Sequence, residues 1–388
     1  MIPLTTMILG KGTVSFRIKG SFGKSRPSTF STLFRPVVFW NITYKCNLYC
    51  IHCYISASPQ GLPDELTTAE ALRVVDMLAE VNVPLVILSG GEPLVRGDFW
   101  DILGRLRDYG LRVSLSTNGT LISRSVAEKL AKLEVSYVGV SLDSVYPEFH
   151  DKFRGVPGAF RRALDGVKSA REVGLSVGFR MTITRFNISE APKLVDLARN
   201  MGVERISYYL IDLTGRARDN IELLPEKIQL EELINKLVEK TIELDGDPEI
   251  LIVRGNFVGI YLADKLAKSR EEFKSYLSMI EAQGDCGRKT ISIYPNGKVK
   301  PCQFLDYDIG DIRDSSLKEI LKLSNEKLKP FLEVYKYLEG PRCSRCPFKE
   351  ICGGGSRGRS LAVTGNFWGD DPLCIVDIDK IRVRWLGS

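Results

Sequence analysis

Three cysteines lie close together in the first quarter of the chain, at Cys46, Cys50 and Cys53, within N-I-T-Y-K-C-N-L-Y-C-I-H-C-Y. Thiolates at this spacing on one loop can reach three irons of a cubane, whereas a [4Fe–4S] cluster normally takes four cysteines. The spacing therefore predicts a cluster whose fourth iron is open to a substrate or cofactor. The alternatives are three buried thiols or a structural zinc site, which prefers four closed ligands and would have only His52 as a further donor nearby.

The composition of the chain narrows the classes of function. With 388 residues, 44% of them apolar and 26% charged, it is expected to form one large soluble domain and a smaller one. The net charge of +6 is mild and no basic run indicates nucleic-acid binding. No apolar segment predicts a membrane span, and the first residues do not resemble a signal peptide, so a cytoplasmic protein is expected. Clustered cysteines in such a protein are more often metal ligands or catalytic groups than disulfides. Only two histidines, His52 and His150, are present, which nearly excludes a His-rich zinc site.

From Val37 onward, short apolar segments alternate with helical patterns. The strands and helices that they predict must hold the cysteine loop in position. Six such strand–helix units predict an α/β fold with a parallel sheet and right-handed crossovers, either a partial (βα)6 TIM-like barrel or an open sheet. In both folds ligands collect at the carboxyl ends of the strands. The predicted strands are V-V-F-W-N-I-T, P-L-V-I-L-S, L-R-V-S-L-S-T, V-S-Y-V-G-V-S-L, L-S-V-G-F-R-M-T-I-T and V-E-R-I-S-Y-Y-L-I.

The composition and the predicted elements divide the sequence into four regions. Residues 1–35 are basic and rich in Ser, Thr and Gly, and are interpreted as a peripheral arm; residues 36–246 hold the six units. Residues 247–284 are interpreted as a helical connector. Residues 285–388 contain six of the nine cysteines among Gly, Pro and short strands, and such a segment usually needs metal to hold it together.

A second set of cysteines lies in this last region. Cys343, Cys346, Cys352 and Cys374 supply four thiolates around a Gly-rich turn, which is a full ligand set for a closed [4Fe–4S] cluster. A zinc ribbon is the alternative, because CxxC pairs serve both metals.

The first three cysteines, followed one unit later by Ser89-Gly90-Gly91-Glu92-Pro93, resemble the radical SAM superfamily. The resemblance implies that the open iron chelates S-adenosylmethionine, and that one electron from a low-potential donor such as a ferredoxin or flavodoxin releases a 5′-deoxyadenosyl radical. Gly90, Gly91 and Glu92 match the GGEP element that receives the methionine ammonium. If the segment from Ser89 to Pro93 stood alone, it would instead be interpreted as a Gly-Gly turn followed by a solvated Glu.

The same resemblance assigns cofactor contacts to the ends of later strands. In the superfamily, the positions at the ends of the third and fourth strands face the methionine and ribose. The position that matches Arg154 pairs with the S-adenosylmethionine carboxylate, and those that match His52 and Tyr54 lie near the adenine. The alternative for Ser116 and Asn118 is strand-end capping. The residues implied in this way are Tyr54, Ser116, Asn118, Ser141, Asp143 and Arg154.

The last region resembles the SPASM/twitch extension of radical SAM enzymes, whose fuller version holds two auxiliary clusters. Cys286 and Gly297-x4-Cys302 match its opening, but Ser356 stands where a further cysteine is expected. The resemblance implies an intact distal cluster and leaves a third cluster at Cys286 and Cys302 in doubt. These two thiols could instead face substrate, form a redox-labile pair or simply be buried.

The run C-G-G-G-S-R-G-R-S-L-A-V-T-G-N-F-W-G-D-D-P-L-C resembles one subgroup, the enzymes of alternative haem and haem d1 synthesis and relatives that modify tungsten-enzyme cofactors. The resemblance implies removal or decarboxylation of carboxylate side chains of an iron tetrapyrrole, and arginine forks near strand ends would suit such a substrate. A peptide maturase and a non-catalytic iron–sulfur electron carrier are the alternatives. The candidate arginines are Arg180, Arg185, Arg216, Arg218, Arg357 and Arg359.

Overall fold

One sheet organises the described part of the protein, which in this computed structural model comprises residues 1–12, 14, 31–280 and 286–387. Its strands are β1 (Val37–Asn41), β2 (Val86–Ser89), β3 (Val113–Thr117), β4 (Tyr137–Ser141), β5 (Val177–Ile183), β6 (Arg205–Leu210), β7 (Glu249–Val253), β8 (Thr290–Ile293), β9 (Lys298–Lys300) and β10 (Gly310–Asp311). They are ordered β10-β9-β8-β1-β2-β3-β4-β5-β6-β7. The eight strands from β8 to β7 run parallel, whereas β9 and β10 are antiparallel. The expected α/β fold with a parallel sheet is confirmed.

Helices connect the successive strands from β1 to β7. The helix after the cysteine loop begins with a capping box, in which Thr67 and Glu70 satisfy each other's backbone N–H groups. Among the described residues, no helix is both long and apolar enough to cross a bilayer. The helices are α1 (Leu4–Leu9), α2 (Thr68–Val81), α3 (Phe99–Asp108), α4 (Arg124–Lys132), α5 (Pro147–Arg154), α6 (Ala159–Glu172), α7 (Ala191–Asn200), α8 (Lys227–Glu243), α9 (Asn256–Leu266), α10 (Arg270–Met279), α11 (Leu317–Ile320), α12 (Lys329–Leu332), α13 (Lys349–Cys352), α14 (Arg357–Thr364) and α15 (Ile378–Ile381).

A seventh parallel strand corrects the interpretation of residues 247–284 as a helical connector. β7 pairs with β6 along its whole length, and only α9 and α10 that follow it are helical. Its first residue, Glu249, is buried and forms an ion pair with Arg205 at 3.0 Å. A charged residue at the start of a short apolar run weakens the strand signal, because such a residue is rarely buried unless it has a partner.

The beginning of the chain also differs from the peripheral arm expected over residues 1–35. Ile2 and Leu4 are fully buried, and Ile2 exchanges two backbone hydrogen bonds with Ile252 at 2.7 and 2.9 Å. The first residues therefore cover part of the edge of β7, which would otherwise expose unpaired backbone groups. Most of the remaining arm, residues 13 and 15–30, lies outside the described residues.

Candidate active site

The loop that follows β1 carries the first three cysteines and is fixed by the turn after β2. Gly91 donates its N–H to the Thr43 carbonyl at 2.7 Å, and the Glu92 N–H reaches the Lys45 carbonyl at 2.9 Å. A Cβ at Gly91 would lie 2.1 Å from the Lys45 carbonyl oxygen, so only glycine permits this approach. The two motifs predicted from the sequence thus form one backbone assembly.

Two other elements hold the same loop from the opposite side. The Tyr49 N–H donates to the Arg154 carbonyl at the end of α5, at 3.0 Å. The guanidinium of Arg216, in the segment after β6, donates to the carbonyls of Cys50 and Ala57 at 2.8 and 2.7 Å. Arg216, one of the predicted carboxylate-binding arginines, therefore serves to fix the cysteine loop.

A cavity of about 990 Å³, counted with its open mouth, lies at the carboxyl ends of the strands, and we call it the first cavity. Its walls come from the cysteine loop, from the ends of β2 to β6 and from the segment after β9. Ten of the twelve residues predicted around the cysteine loop line this cavity, and the exceptions are Glu92 and Asp143. The ten are Cys46, Cys50, Cys53, Tyr54, Gly90, Gly91, Ser116, Asn118, Ser141 and Arg154.

Two thiols of the first cavity, those of Cys46 and Cys50, are poor acids in the absence of a metal. Burial raises the pKa of Cys46 to about 12 and that of Cys50 to about 11. Arg154 opposes this effect at Cys50, since its guanidinium lies 3.6 Å from the Cys50 sulfur. Thiolates that are costly to form alone are stabilised by a bound cation, so three thiols lining one cavity fit an iron–sulfur cluster as ligands.

Asp143 lies behind the cavity wall and positions Arg154. Its fully buried carboxylate is 2.6 Å from the Arg154 guanidinium and accepts the Thr182 N–H at 2.8 Å. Burial alone would raise the pKa of Asp143, but the Arg154 charge holds it below its ordinary value. Both histidines are near this carboxylate as well: His52 Nε2 lies 3.5 Å away, and His150 accepts the Asp143 N–H.

Glu92 is also buried behind the wall. Its carboxylate accepts the Thr117 hydroxyl at 2.8 Å, the Asn118 N–H at 2.8 Å and the Leu94 N–H at 3.2 Å. Burial raises the pKa of Glu92 from 4.5 to about 7 despite these hydrogen bonds. In this structure the acid of the GGEP element joins the ends of β2 and β3.

The structure separates the predicted carboxylate-binding arginines. Arg180 and Arg216 line the first cavity, whereas Arg185 is about half exposed and pairs with Glu226. Arg218 pairs with Asp306 at the surface, at 3.0 Å. Two more are enclosed in the last region, where Arg357 donates to backbone carbonyls and Arg359 pairs with Asp371. Further lining residues that the sequence reasoning did not identify are Thr182, Tyr209, Asp212, Gln303 and Phe304.

The four cysteines of the last region surround a second, smaller cavity, of about 460 Å³ when its open mouth is counted as for the first. Burial raises the pKa of Cys343 to about 12 and that of Cys374 to about 11, and Cys352 is shifted upward by burial and then by the other three thiols. Asp370 accepts the Cys343 N–H at 2.8 Å and fixes this loop. Within the described residues no three His, Cys, Asp or Glu side chains converge on a single-ion site. Four thiols spread around one cavity fit a cluster.

Cys286 and Cys302 have a different environment, built around Arg254 at the end of β7. The Arg254 guanidinium donates to both sulfurs, at 3.1 and 3.5 Å, and to the Ser356 hydroxyl at 2.9 Å. It also forms an ion pair with the buried Asp212. Two thiols, a hydroxyl and a cation do not fit the all-thiolate ligand set of an iron–sulfur cluster.

Comparison with known proteins agrees with this geometry. The Radical SAM superfamily pattern matches residues 40–198, and the SPASM iron–sulfur cluster-binding domain matches residues 285–347. An Fe-coproporphyrin III synthase of Methanosarcina barkeri is 36% identical over 93% of this chain and 94% of its own. The chain belongs to the radical SAM superfamily. This radical SAM enzyme is also 33% identical to a pre-heme d1 synthase of Dinoroseobacter shibae, over 90% of this chain and 91% of that one.

The fold of this radical SAM enzyme is shared with solved structures of low sequence identity. Streptococcus suis SuiB bound to S-adenosylmethionine superposes with a TM-score of 0.68 at 19% identity, covering 88% of this chain and 78% of SuiB. The superfamily and the extension inferred from the sequence are both confirmed. The roles of individual site residues remain predictions.

Proposed function

We propose that this radical SAM enzyme modifies carboxylate side chains of an iron tetrapyrrole in the biosynthesis of a haem-type cofactor. The observation that carries the proposal is the first cavity, in which three thiols and Arg180 share one wall. Among the described residues Arg180 has no acidic partner. The two relatives compared above, a coproporphyrin and a pre-haem d1 enzyme by name, match this chain over nearly its full length, which supports a related substrate.

In the proposed enzyme Cys46, Cys50 and Cys53 hold a [4Fe–4S] cluster with one open iron, and the first cavity receives S-adenosylmethionine. The bound cluster would supply the electron that splits S-adenosylmethionine into methionine and a 5′-deoxyadenosyl radical. The Gly90-Gly91 turn keeps the cysteine loop in place through backbone contact, since a side chain at Gly91 would collide with Lys45.

The remaining predicted contacts fall into two groups. Tyr54, Ser116, Asn118 and Ser141 line the cavity with polar atoms and are proposed to contact the methionine, ribose and adenine. Asp143 and Glu92 act behind them, by orienting Arg154 and the end of β3.

The second cavity is proposed to hold a closed auxiliary cluster on Cys343, Cys346, Cys352 and Cys374. The donor set at Cys286 and Cys302 does not support a third cluster, so we expect about eight iron atoms per chain rather than about twelve. A reduced ferredoxin or flavodoxin is the proposed electron donor, in a cytoplasm that keeps thiols reduced.

Anaerobic turnover tests the proposal. The reconstituted protein is mixed with dithionite, S-adenosylmethionine and iron tetrapyrroles that carry acetate or propionate arms. Mass spectrometry should show loss of carboxylate side chains together with 5′-deoxyadenosine. Formation of 5′-deoxyadenosine with every tetrapyrrole unchanged would contradict the substrate while leaving the radical chemistry intact. Cys50→Ala serves as the inactive control.

A further inference from the structure

Arg180, in the middle of β5, extends across the neighbouring strand to reach β3. Its Nη1 donates to the hydroxyl of Ser116. A Cβ at Gly139 of β4 would lie only 2.2 Å from the Arg180 Nε, so the arginine occupies the space that a side chain on β4 would fill. The glycine therefore allows a long cationic side chain to lie along the wall of the first cavity, which Arg180 lines.

The charge of Arg180 has no acidic partner in the described part of the chain. Its hydrogen bond to Ser116 uses one of the five N–H donors of a guanidinium. Arg180 is only partly exposed, and a cation removed from water without a counter-ion is costly. Such a group is prepared to receive an anion.

The other two arginines of the cavity wall, Arg154 and Arg216, already have partners within the protein. Arg154 pairs with Asp143 at 2.6 Å and lies 3.6 Å from the Cys50 sulfur, where it offsets the charge of a ligand thiolate. Arg216 donates to two backbone carbonyls and lies over the Tyr49 ring at 4.0 Å. Arg180 differs from both, because its only hydrogen-bond partner among the described residues is the Ser116 hydroxyl.

We infer that Arg180 binds a carboxylate of the molecule that occupies the first cavity. The inference rests on the proposed function, which supplies two sources of this chemistry: the methionyl carboxylate of S-adenosylmethionine and the acetate or propionate arms of a tetrapyrrole. A planar guanidinium with free donors matches a carboxylate through two parallel hydrogen bonds, which a lysine cannot reproduce.

The test compares Arg180→Met, Arg180→Lys and the matched control Arg185→Met, in which an exposed arginine just beyond the end of the same strand is lost. Anaerobic equilibrium binding to the reconstituted protein is measured with two pairs of probes. One pair is S-adenosylmethionine and decarboxylated S-adenosylmethionine, and the other is iron coproporphyrin III and its carboxamide derivative. Iron content shows that each variant is folded and loaded.

The expected result is that Arg180→Met raises the Kd of one carboxylate-bearing probe by about tenfold to a hundredfold, and leaves unchanged the Kd of the counterpart that lacks the carboxylate. The probe that is affected identifies the source of the carboxylate. Arg180→Lys should lie between wild type and Arg180→Met, and Arg185→Met should match wild type. If Arg180→Met does not fold, Arg180→Lys should still weaken the same probe by several-fold.

Two outcomes would overturn the inference. Either no probe binds more weakly to the Arg180 variants, or the probes with and without the carboxylate weaken equally, as a purely structural role would require. Failure of the proposed function gives a different result, because wild type would then bind or convert no tetrapyrrole while the S-adenosylmethionine pair still tests Arg180.

Discussion

The two cavities are both lined by cysteine thiols but differ in the number of ligands and in their surroundings. The first offers three thiols among polar groups from five strand ends, and it is about twice the volume of the second. The second offers four thiols beside Phe257 and Ile260 of α9. A cluster with three ligands keeps one iron for a reactant, whereas one with four has every iron held by protein. Under the proposed function, the sheet would therefore position the reacting molecule at the first cavity, while the cluster of the second would serve electron transfer or stability.

The largest expected effect comes from removing a thiol of the first cavity. Cys50→Ala should abolish reductive cleavage of S-adenosylmethionine, because the remaining two thiols cannot hold the cluster. The measurement is 5′-deoxyadenosine formed with dithionite under anaerobic conditions. Cleavage at the wild-type rate would show that the loop is not the reactive centre.

The corresponding change in the second cavity should separate the two sites. Cys374→Ala is expected to lower the iron content from about eight to about four atoms per chain and to reduce tetrapyrrole conversion about tenfold or more. Cleavage of S-adenosylmethionine without substrate should persist, because the first cavity is intact. An unchanged iron content would refute the proposed ligand set.

A smaller effect is expected from the contact between the two motifs of the first cavity. Gly91→Ala places a methyl group 2.1 Å from the Lys45 carbonyl, so overpacking should cost about 1–3 kcal/mol of unfolding free energy and reduce cleavage. Gly97→Ala is the matched control, since a Cβ there meets nothing within 4 Å, and its effect should stay within about 0.5 kcal/mol. Equal stability and activity of the two variants would show that this contact is unimportant.

The last expected effect depends on pH and concerns the buried acid behind the first cavity. The folded protein raises the pKa of Glu92 from 4.5 to about 7, so between these values it keeps a proton that the unfolded chain loses. Wild-type stability should therefore fall as the pH rises from about 5 to about 7, by on the order of 1–3 kcal/mol, and Glu92→Gln should lack this contribution.

The thermal midpoints of wild type and Glu92→Gln, measured across this range, provide the test. Any hydrogen bond that glutamine cannot reproduce changes the thermal midpoint by the same amount at every pH. The pH dependence of the difference between the two midpoints therefore reports the titration of Glu92. A difference that does not change between pH 5 and pH 8 would contradict the raised pKa.

The sequence was sufficient to predict the features that depend on local pattern. Six of the parallel strands follow from apolar periodicity, and the cysteine loop follows from its spacing. Ten of the twelve predicted site residues line the first cavity, and those beyond the three cysteines were implied by the resemblance to the superfamily. β7 was missed because its buried Glu249 is compensated by Arg205, which lies 44 positions away in the sequence. The packing of Ile2 against Ile252 likewise depends on a distant partner.

Features set by long-range pairing could not be predicted from spacing. Asp143 and Glu92 match positions of the cofactor-binding motifs. In the structure, however, the Asp143 carboxylate pairs with Arg154 and the Glu92 carboxylate accepts the Thr117 hydroxyl, because a buried charge needs a nearby partner. The only sequence feature that could have indicated a role for Arg254 is its position directly after the apolar run of β7. A search for polar residues directly after each predicted strand would have identified Asp212 as a candidate site residue.

The most direct test of the central claim is electron–nuclear double resonance of the reduced Cys374→Ala variant, which should retain only the first cluster. With S-adenosylmethionine labelled at its amino nitrogen and carboxylate oxygens, we expect hyperfine coupling of both labels to the cluster. A cluster signal without coupling to either label would contradict an open iron at Cys46, Cys50 and Cys53.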